Sequence, residues 1–416
     1  MDIICEKISP RLEYTLRFIF REGLGMDYQV LTESQGPPKD RTPHINYSGE
    51  GKSGGLTVRP SGLLTEKGLR ENKPPIGRVE DTPVLYPQKE GFPFDIFSAV
   101  FRMISRYEEY LPAERDKFGR FPATSALAYK EGFLELPVVN IWMDMLVRHL
   151  QERFADFRPT PVKSAYIPSI DIDNPWAHRN KGIQSWLGGS LRQISRGRLS
   201  NVRERMAVLR SKKEDPYDSY EMIGSLHGKE TLIFILAGSK GKYDNRISLR
   251  NENWRGLIGR LNQGFQLGFH PSYRSNKSRA ILESEKEDME KLLGKTIGKS
   301  RQHFLILNMP STYRNLIAAG ITEDYSMGFA ERPGFRAGTA SPFYFYDLEK
   351  EKQTSLRIYP FCVMDRTLKD YMNLKPAEAR EIITRLIEQV KRYGGNFIPV
   401  WHNESLGTAA EWINWP

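Results

Sequence analysis

The sequence predicts an α/β protein, a (β/α) barrel-type domain preceded by a smaller α+β domain, and three observations predict it. Past residue 160, short apolar runs alternate with stretches of helical period, the mark of parallel β/α construction. Several of those runs end in Asp or His, and the C-terminal ends of strands are where β/α barrels build their sites. The 416 residues also exceed what one core usually supports, about 250 to 300. The domains are therefore expected at 1–160 and 161–416.

Within residues 1–160, short β-like runs (Leu56–Val58, Pro83–Tyr86) lie among Gly/Pro-rich turns such as 36–38 and 49–51. Two helices are expected. One runs from Asp95 to Tyr110 with Ile96, Phe97, Val100, Phe101 and Ile104 on one face. The other runs from Ile141 to Phe154 with Trp142, Met145, Leu146 and Leu150 inward and His149 at the core edge. Gly51-Lys52-Ser53 imitates the end of a phosphate-binding loop, but Asn46 stands where the first glycine is required. Phe157-Arg158-Pro159-Thr160-Pro161 reads as the linker, because its prolines favour an extended chain.

The second domain opens on the run 166–172, which carries Asp171 and is followed by Asp173. Side chains alternate along a strand, so the two carboxylates project to the same side. Buried acids need cationic compensation, for which a divalent metal is well suited. Phe265–Phe269 ends at His270, the stretch at Arg301-Gln302-His303-Phe304 carries a second histidine, and Asn396–Trp401 ends at His402. Between the last two, Pro376 opens a helix with Ala379, Ile382, Leu386 and Val390 at helical spacing and Gly394-Gly395 as its stop.

Net charge is +10, and from Lys181 to Lys213 nine basic residues face one acid, Glu204. No zinc finger or RNP-type motif accompanies them, so no nucleic acid is expected. The segment 181–213 reads as a basic insertion forming one or two amphipathic helices, a lid or an arm on an anionic membrane surface, against the plainer reading of a solvated basic face. The two cysteines, Cys5 and Cys362, form no thiolate zinc or disulfide pattern. With no secretory h-region and no run of about 18 apolar residues, the chain reads as cytoplasmic, with membrane association left to 181–213.

Ser169-Ile-Asp171-Ile-Asp173, Gly268-Phe-His270-Pro-Ser272, Arg301-Gln-His303-Phe304 and Trp401-His402 fall in the order of the polysaccharide deacetylase (NodB-homology) family, which the chain resembles over roughly 161–416. Arg106–Tyr110 and Gly334–Gly338, including Arg336, resemble stretches of a bacterial subgroup with an extra N-terminal domain. The resemblance implies a distorted, incomplete (β/α) barrel that removes N- or O-linked acetyl groups from a carbohydrate, with a divalent metal as cofactor: zinc, or nickel or cobalt. It implies Asp171 as base, Arg301 orienting it, Asp173 and His270 as metal ligands and His402 as acid. Ser272, Tyr273 and Arg336 are expected near the substrate, and Asn403 or Glu404 as partners that fix the tautomer of His402.

Two departures bear on these roles. Ile172 separates aspartates that are usually adjacent, so base and ligand roles are open to exchange. The second metal histidine is expected four residues after the first, where this chain has Arg274. His303 is the first substitute and His178 the second. Alternatively, Arg274 supplies the positive charge itself and the domain binds a glycan without cleaving it. A third reading, a glycosyltransferase, rests on Asp171-x-Asp173 as a metal and sugar-nucleotide motif. The expected partner is an acetylated carbohydrate or a lipid-linked glycan.

Overall fold

The computed structural model describes residues 1–32, 42–49, 54–160, 163–180, 199–238, 241, 243–244 and 247–415. The loop at 36–38, Gly51-Lys52-Ser53, Pro161 of the linker and residues 181–198 of the basic segment lie outside them.

The chain is mixed α/β with parallel sheets. Strands β1 (Asp2–Cys5), β2 (Gln29–Thr32), β3 (His44–Tyr47) and β4 (Leu56–Val58) form a four-stranded sheet in the order β2-β1-β3-β4. All of its pairings are parallel, a β/α arrangement where an α+β lobe would carry antiparallel strands. The hairpin β5 (Ile76–Val79) and β6 (Thr82–Leu85) is antiparallel.

The first expected helix is shorter than its pattern. Asp95 caps Ile96–Ile104 by accepting from the Ser98 N–H at 3.1 Å. The helix stops because Arg106 takes a left-handed backbone (φ +53°), and Tyr107–Tyr110 becomes a 3₁₀ turn. The second helix spans Val138–Arg153, with His149 Nδ1 donating to the Met145 carbonyl at 2.9 Å.

Beyond β7 (Ala165–Tyr166) lies a nine-stranded sheet made of β8 (Ser169–Ile172), β9 (Leu232–Leu236), β10 (Gln266–His270), β11 (Lys299–Ser300), β12 (Glu323–Asp324), β13 (Phe343–Asp347), β14 (Lys352–Ile358), β15 (Val363–Met364) and, after β16 (Asn396–Phe397), β17 (Pro399–His402). The order is β13-β14-β12-β11-β10-β9-β8-β17-β15, and only the β13–β14 edge is antiparallel. β9, Leu-Ile-Phe-Ile-Leu, is buried throughout, as a central parallel strand covered on both faces requires. Gly268 is needed in β10 because a Cβ there would meet the Phe234 ring at 2.5 Å.

Two expected strands are each split in two. Pro168 separates β7 from β8, and β17 begins at Pro399 after the pair β16–β7, since proline donates nothing to a ladder. The helix Pro376–Tyr393 opens and closes as its sequence predicts, with Glu378 accepting from the Lys375 N–H at 2.7 Å.

One hydrophobic cluster runs from Ile3, Phe101 and Trp142 through Tyr346 to Ile235 and Phe269, crossing residue 160. Cys5 and Cys362 are both free and buried. Among the described residues no helix is long and apolar enough to cross a membrane. Leu199–Leu209 of the basic segment is helical, and Lys213 pairs with Glu204.

Candidate metal centre and its cleft

Parallel register brings the polar strand ends together. His402 lies beside Asp171 across β17–β8, and the C-terminal ends of β10 and β11 follow on the other side of β9. Asp173 stands at the centre. Its Oδ1 is 3.2 Å from His270 Nε2, and its Oδ2 is 3.4 Å from His303 Nε2 and 3.8 Å from His402 Nε2. One ligand atom from each of Asp173, His270 and His303 lies within 4.8 Å of the others. These three groups can hold a divalent cation.

Each imidazole is oriented from behind through Nδ1. His270 donates to the Arg301 carbonyl at 2.6 Å, His303 to Asp244 Oδ1 at 3.2 Å and His402 to Asp365 Oδ1 at 2.8 Å. Such outer partners fix the tautomer and turn the other nitrogen to the site. Asp365 is itself held by the His402 N–H at 2.7 Å and by the Ser405 hydroxyl. Asp244 accepts from the Tyr273 N–H at 2.6 Å.

Asp171 is fixed separately. Arg301, fully buried, donates from Nη1 to Asp171 Oδ1 at 2.7 Å, from Nη2 to Ser169 Oγ at 2.9 Å and from Nε to the Tyr325 carbonyl at 3.0 Å. Its guanidinium lies over the Phe234 ring at 4.4 Å.

The electrostatics follow from this crowding of charge. Burial raises the Asp173 pKa, but the His303 charge and the close His270 and His402 imidazoles outweigh it and hold the carboxyl well below its usual range. Burial lowers His303, yet the Asp173 and Asp244 carboxylates lift it to about 9. His402 is likewise disfavoured by burial and raised to about 10 by Asp365, with help from Asp173 and Asp171. Asp173 Oδ1 is buried without a hydrogen bond of acceptable geometry, although a histidine nitrogen faces it. An oxygen and two imidazole nitrogens converging around such an orphan fit a divalent cation.

The cluster lies in a cleft of about 410 Å³, within the range of small-molecule pockets, and Asn174, Gln302, Phe304, Arg366, Tyr371 and Glu404 are among its lining. The other expected site residues lie elsewhere. Arg274 is exposed and outside the lining, so its charge does not take the cation's position. His178 falls outside the three-ligand group, its N–H donating to Asp215 Oδ2 at 2.9 Å.

Ser272 and Tyr273 turn their backbone N–H groups to Glu285 and Asp244 and do not line the cleft. Arg336 is buried away from it against Glu109, at 2.6 Å. Asn403 and Glu404 do not orient His402. Asn403 Nδ2 donates to the Asn174 and Tyr217 carbonyls, both at 3.0 Å, and Glu404 pairs with Arg366 and accepts from Asn174 Nδ2 at 2.8 Å.

Asp365 and Asp244 were not singled out in the sequence. Asp365 had a signal, since Phe361-Cys362-Val363-Met364 is another apolar run that ends in an acid. Asp244 sits in a loop after β9 with no comparable pattern.

Residues 1–155 match DUF7033, a family of unknown function. A search of curated proteins finds no match. Among solved structures, the chain is similar to a protein from Mycobacterium smegmatis provisionally assigned as a polysaccharide deacetylase. The two are 14% identical over 61% of this chain and 83% of that one, with a TM-score of 0.38, and a likeness of that size carries no argument about this chain.

Proposed function

We propose that the protein is a metal-dependent hydrolase that removes acetyl groups from a carbohydrate. The observation that carries this reading is the convergence of Asp173, His270 and His303 beside two further proton-handling pairs, Asp171–Arg301 and His402–Asp365. A cation held by the first three would polarise an acyl oxygen and lower the pKa of a water. Asp171 then takes the proton of the attacking water. The Arg301 guanidinium aims one carboxylate oxygen, leaving the other for the proton. His402, charged through Asp365, delivers a proton to the departing amine or alkoxide.

Two imidazoles facing one aspartate favour this reading over a glycosyltransferase, whose metal and diphosphate need only oxygen ligands. Eight parallel strands with the site at their C-terminal ends support an incomplete barrel for residues 161–416. Residues 1–160 are proposed as the second unit. The substrate class is an acetylated glycan, and a lipid-linked one would suit the basic segment. The test is acetate release from N- and O-acetylated oligosaccharides by the zinc-loaded chain. Release that disappears in Asp171→Asn supports the reading; release that is unchanged in that variant refutes the assigned base.

A further inference from the structure

Residues 116–120 lie in the part of the chain that matches a family of unknown function, yet Lys117, Phe118 and Arg120 line the same cleft as the metal cluster. The turn is built to stay there. Asp116 Oδ1 accepts from the Phe118 N–H at 2.8 Å and the Arg120 N–H at 2.9 Å, and its Oδ2 accepts from Arg120 Nε at 2.6 Å. Arg120, buried, then reaches across the cleft, donating to the Phe304 carbonyl at 3.2 Å and the Tyr371 hydroxyl at 3.3 Å.

Phe304 is an unusual partner. It and Leu305 both have left-handed backbones, at φ +61° and +55°, although neither is glycine. Conformations of this kind are strained and persist only where their surroundings fix them. Here the Arg120 bond is part of what fixes them. The outcome is an aromatic surface beside His303: the Phe118 and Phe304 rings are 5.0 Å apart, the Phe304 ring is 4.8 Å from the His303 ring, and Tyr371 closes the same side. Arg120 and Lys117 flank the Phe118 ring at 4.9 and 5.1 Å.

Phe118 keeps part of its surface open to the cleft rather than being buried in the turn. The negative face of an aromatic ring attracts positively polarised C–H groups, and one face of a pyranose presents a row of them. Resting on the carbohydrate reading above, we propose that the turn 116–120 is the sugar-binding wall of the cleft. Phe118, with Phe304 and Tyr371, is the surface against which a pyranose ring packs. Residues 1–155 thereby acquire a role: they complete the substrate site of the domain that follows.

The test is calorimetric titration of the zinc-loaded full chain carrying Asp171→Asn, which stops turnover, with tetra-N-acetylchitotetraose and with O-acetylated xylotetraose. At least one should bind. Adding Phe118→Ala should weaken that binding roughly tenfold, Phe118→Trp should restore it, and zinc should stay stoichiometric in both. In the enzyme with Asp171 intact, the same substitution should raise KM more than it lowers kcat. Equal affinity in Phe118→Ala, or no binding of either saccharide by the parent, overturns the wall. Binding that depends on Phe118 in a chain that releases no acetate leaves the wall standing and overturns the proposed reaction instead.

Discussion

Glu109 is the most deeply buried carboxylate joining residues 1–160 to the rest of the chain, and replacing it with glutamine tests how tightly the two parts are coupled. Its side chain is 0% exposed between Arg106 Nε, at 2.8 Å, and Arg336 Nη2, at 2.6 Å. Burial alone would raise its pKa, but the Arg336 and Arg106 charges and hydrogen bonds bring it from 4.5 to about 2. At about 1.36 kcal/mol per tenfold change in acidity, that displacement corresponds to folding free energy on the order of 3 kcal/mol. Because the folded pKa lies below the unfolded one, that contribution is complete well above 4.5 and is lost as pH falls through about 2.

Glu109→Gln leaves the buried Arg336 without the carboxylate it pairs with, and Arg106 with Glu108 alone, at 2.9 Å. The expected cost is therefore on the order of 3 to 5 kcal/mol at pH 7. Urea unfolding of both proteins between pH 7 and pH 3.5 is the assay. The stability gap should be flat down to about pH 5.5 and about 1.4 kcal/mol smaller one unit below the unfolded pKa. No gap at pH 7, or a gap that does not change over this range, would refute the coupling argument.

Other outcomes are as specific. Asp171→Asn should lower kcat by roughly 10²- to 10⁴-fold with zinc content unchanged; loss of the metal would mean that Asp171 is a ligand. Asp365→Asn removes the acceptor of His402 Nδ1, so it should lower kcat and move the alkaline limb of the pH–rate profile to lower pH, while an unchanged profile would separate Asp365 from the chemistry. The full chain should sediment with anionic vesicles at low salt and be released as ionic strength rises, since exposed charges are screened beyond about 8 Å at physiological salt. Neutralising Lys181, Arg192, Arg196 and Arg198 should abolish that sedimentation; equal sedimentation would dismiss the basic segment as a membrane contact.

The strand ends were legible because each combines two simple signals, an apolar run and a terminal acid or imidazole. Those two signals mark Asp171, His270 and His402 in the sequence alone. His303 was legible only through the gap that Arg274 leaves, and its neighbours were not. Asp244 is brought to it by the loop after β9, a contact of 59 residues' separation that no local pattern encodes. Asp365 ends a strand of two residues, too short to show a period. The helix from Asp95 overran because Ile104 and the aromatic Tyr107 keep the apolar spacing. It is the left-handed Arg106, held by Glu109, that ends it. Nor was the parallel order of the first sheet readable, since strands of three or four residues carry no directional signal.

The most direct measurement is elemental analysis of the purified chain beside His303→Ala and Arg274→Ala. One equivalent of zinc, nickel or cobalt in the wild type and in Arg274→Ala, with loss of stoichiometric metal in His303→Ala, is the expected result. A full equivalent retained in His303→Ala would contradict the metal centre described here.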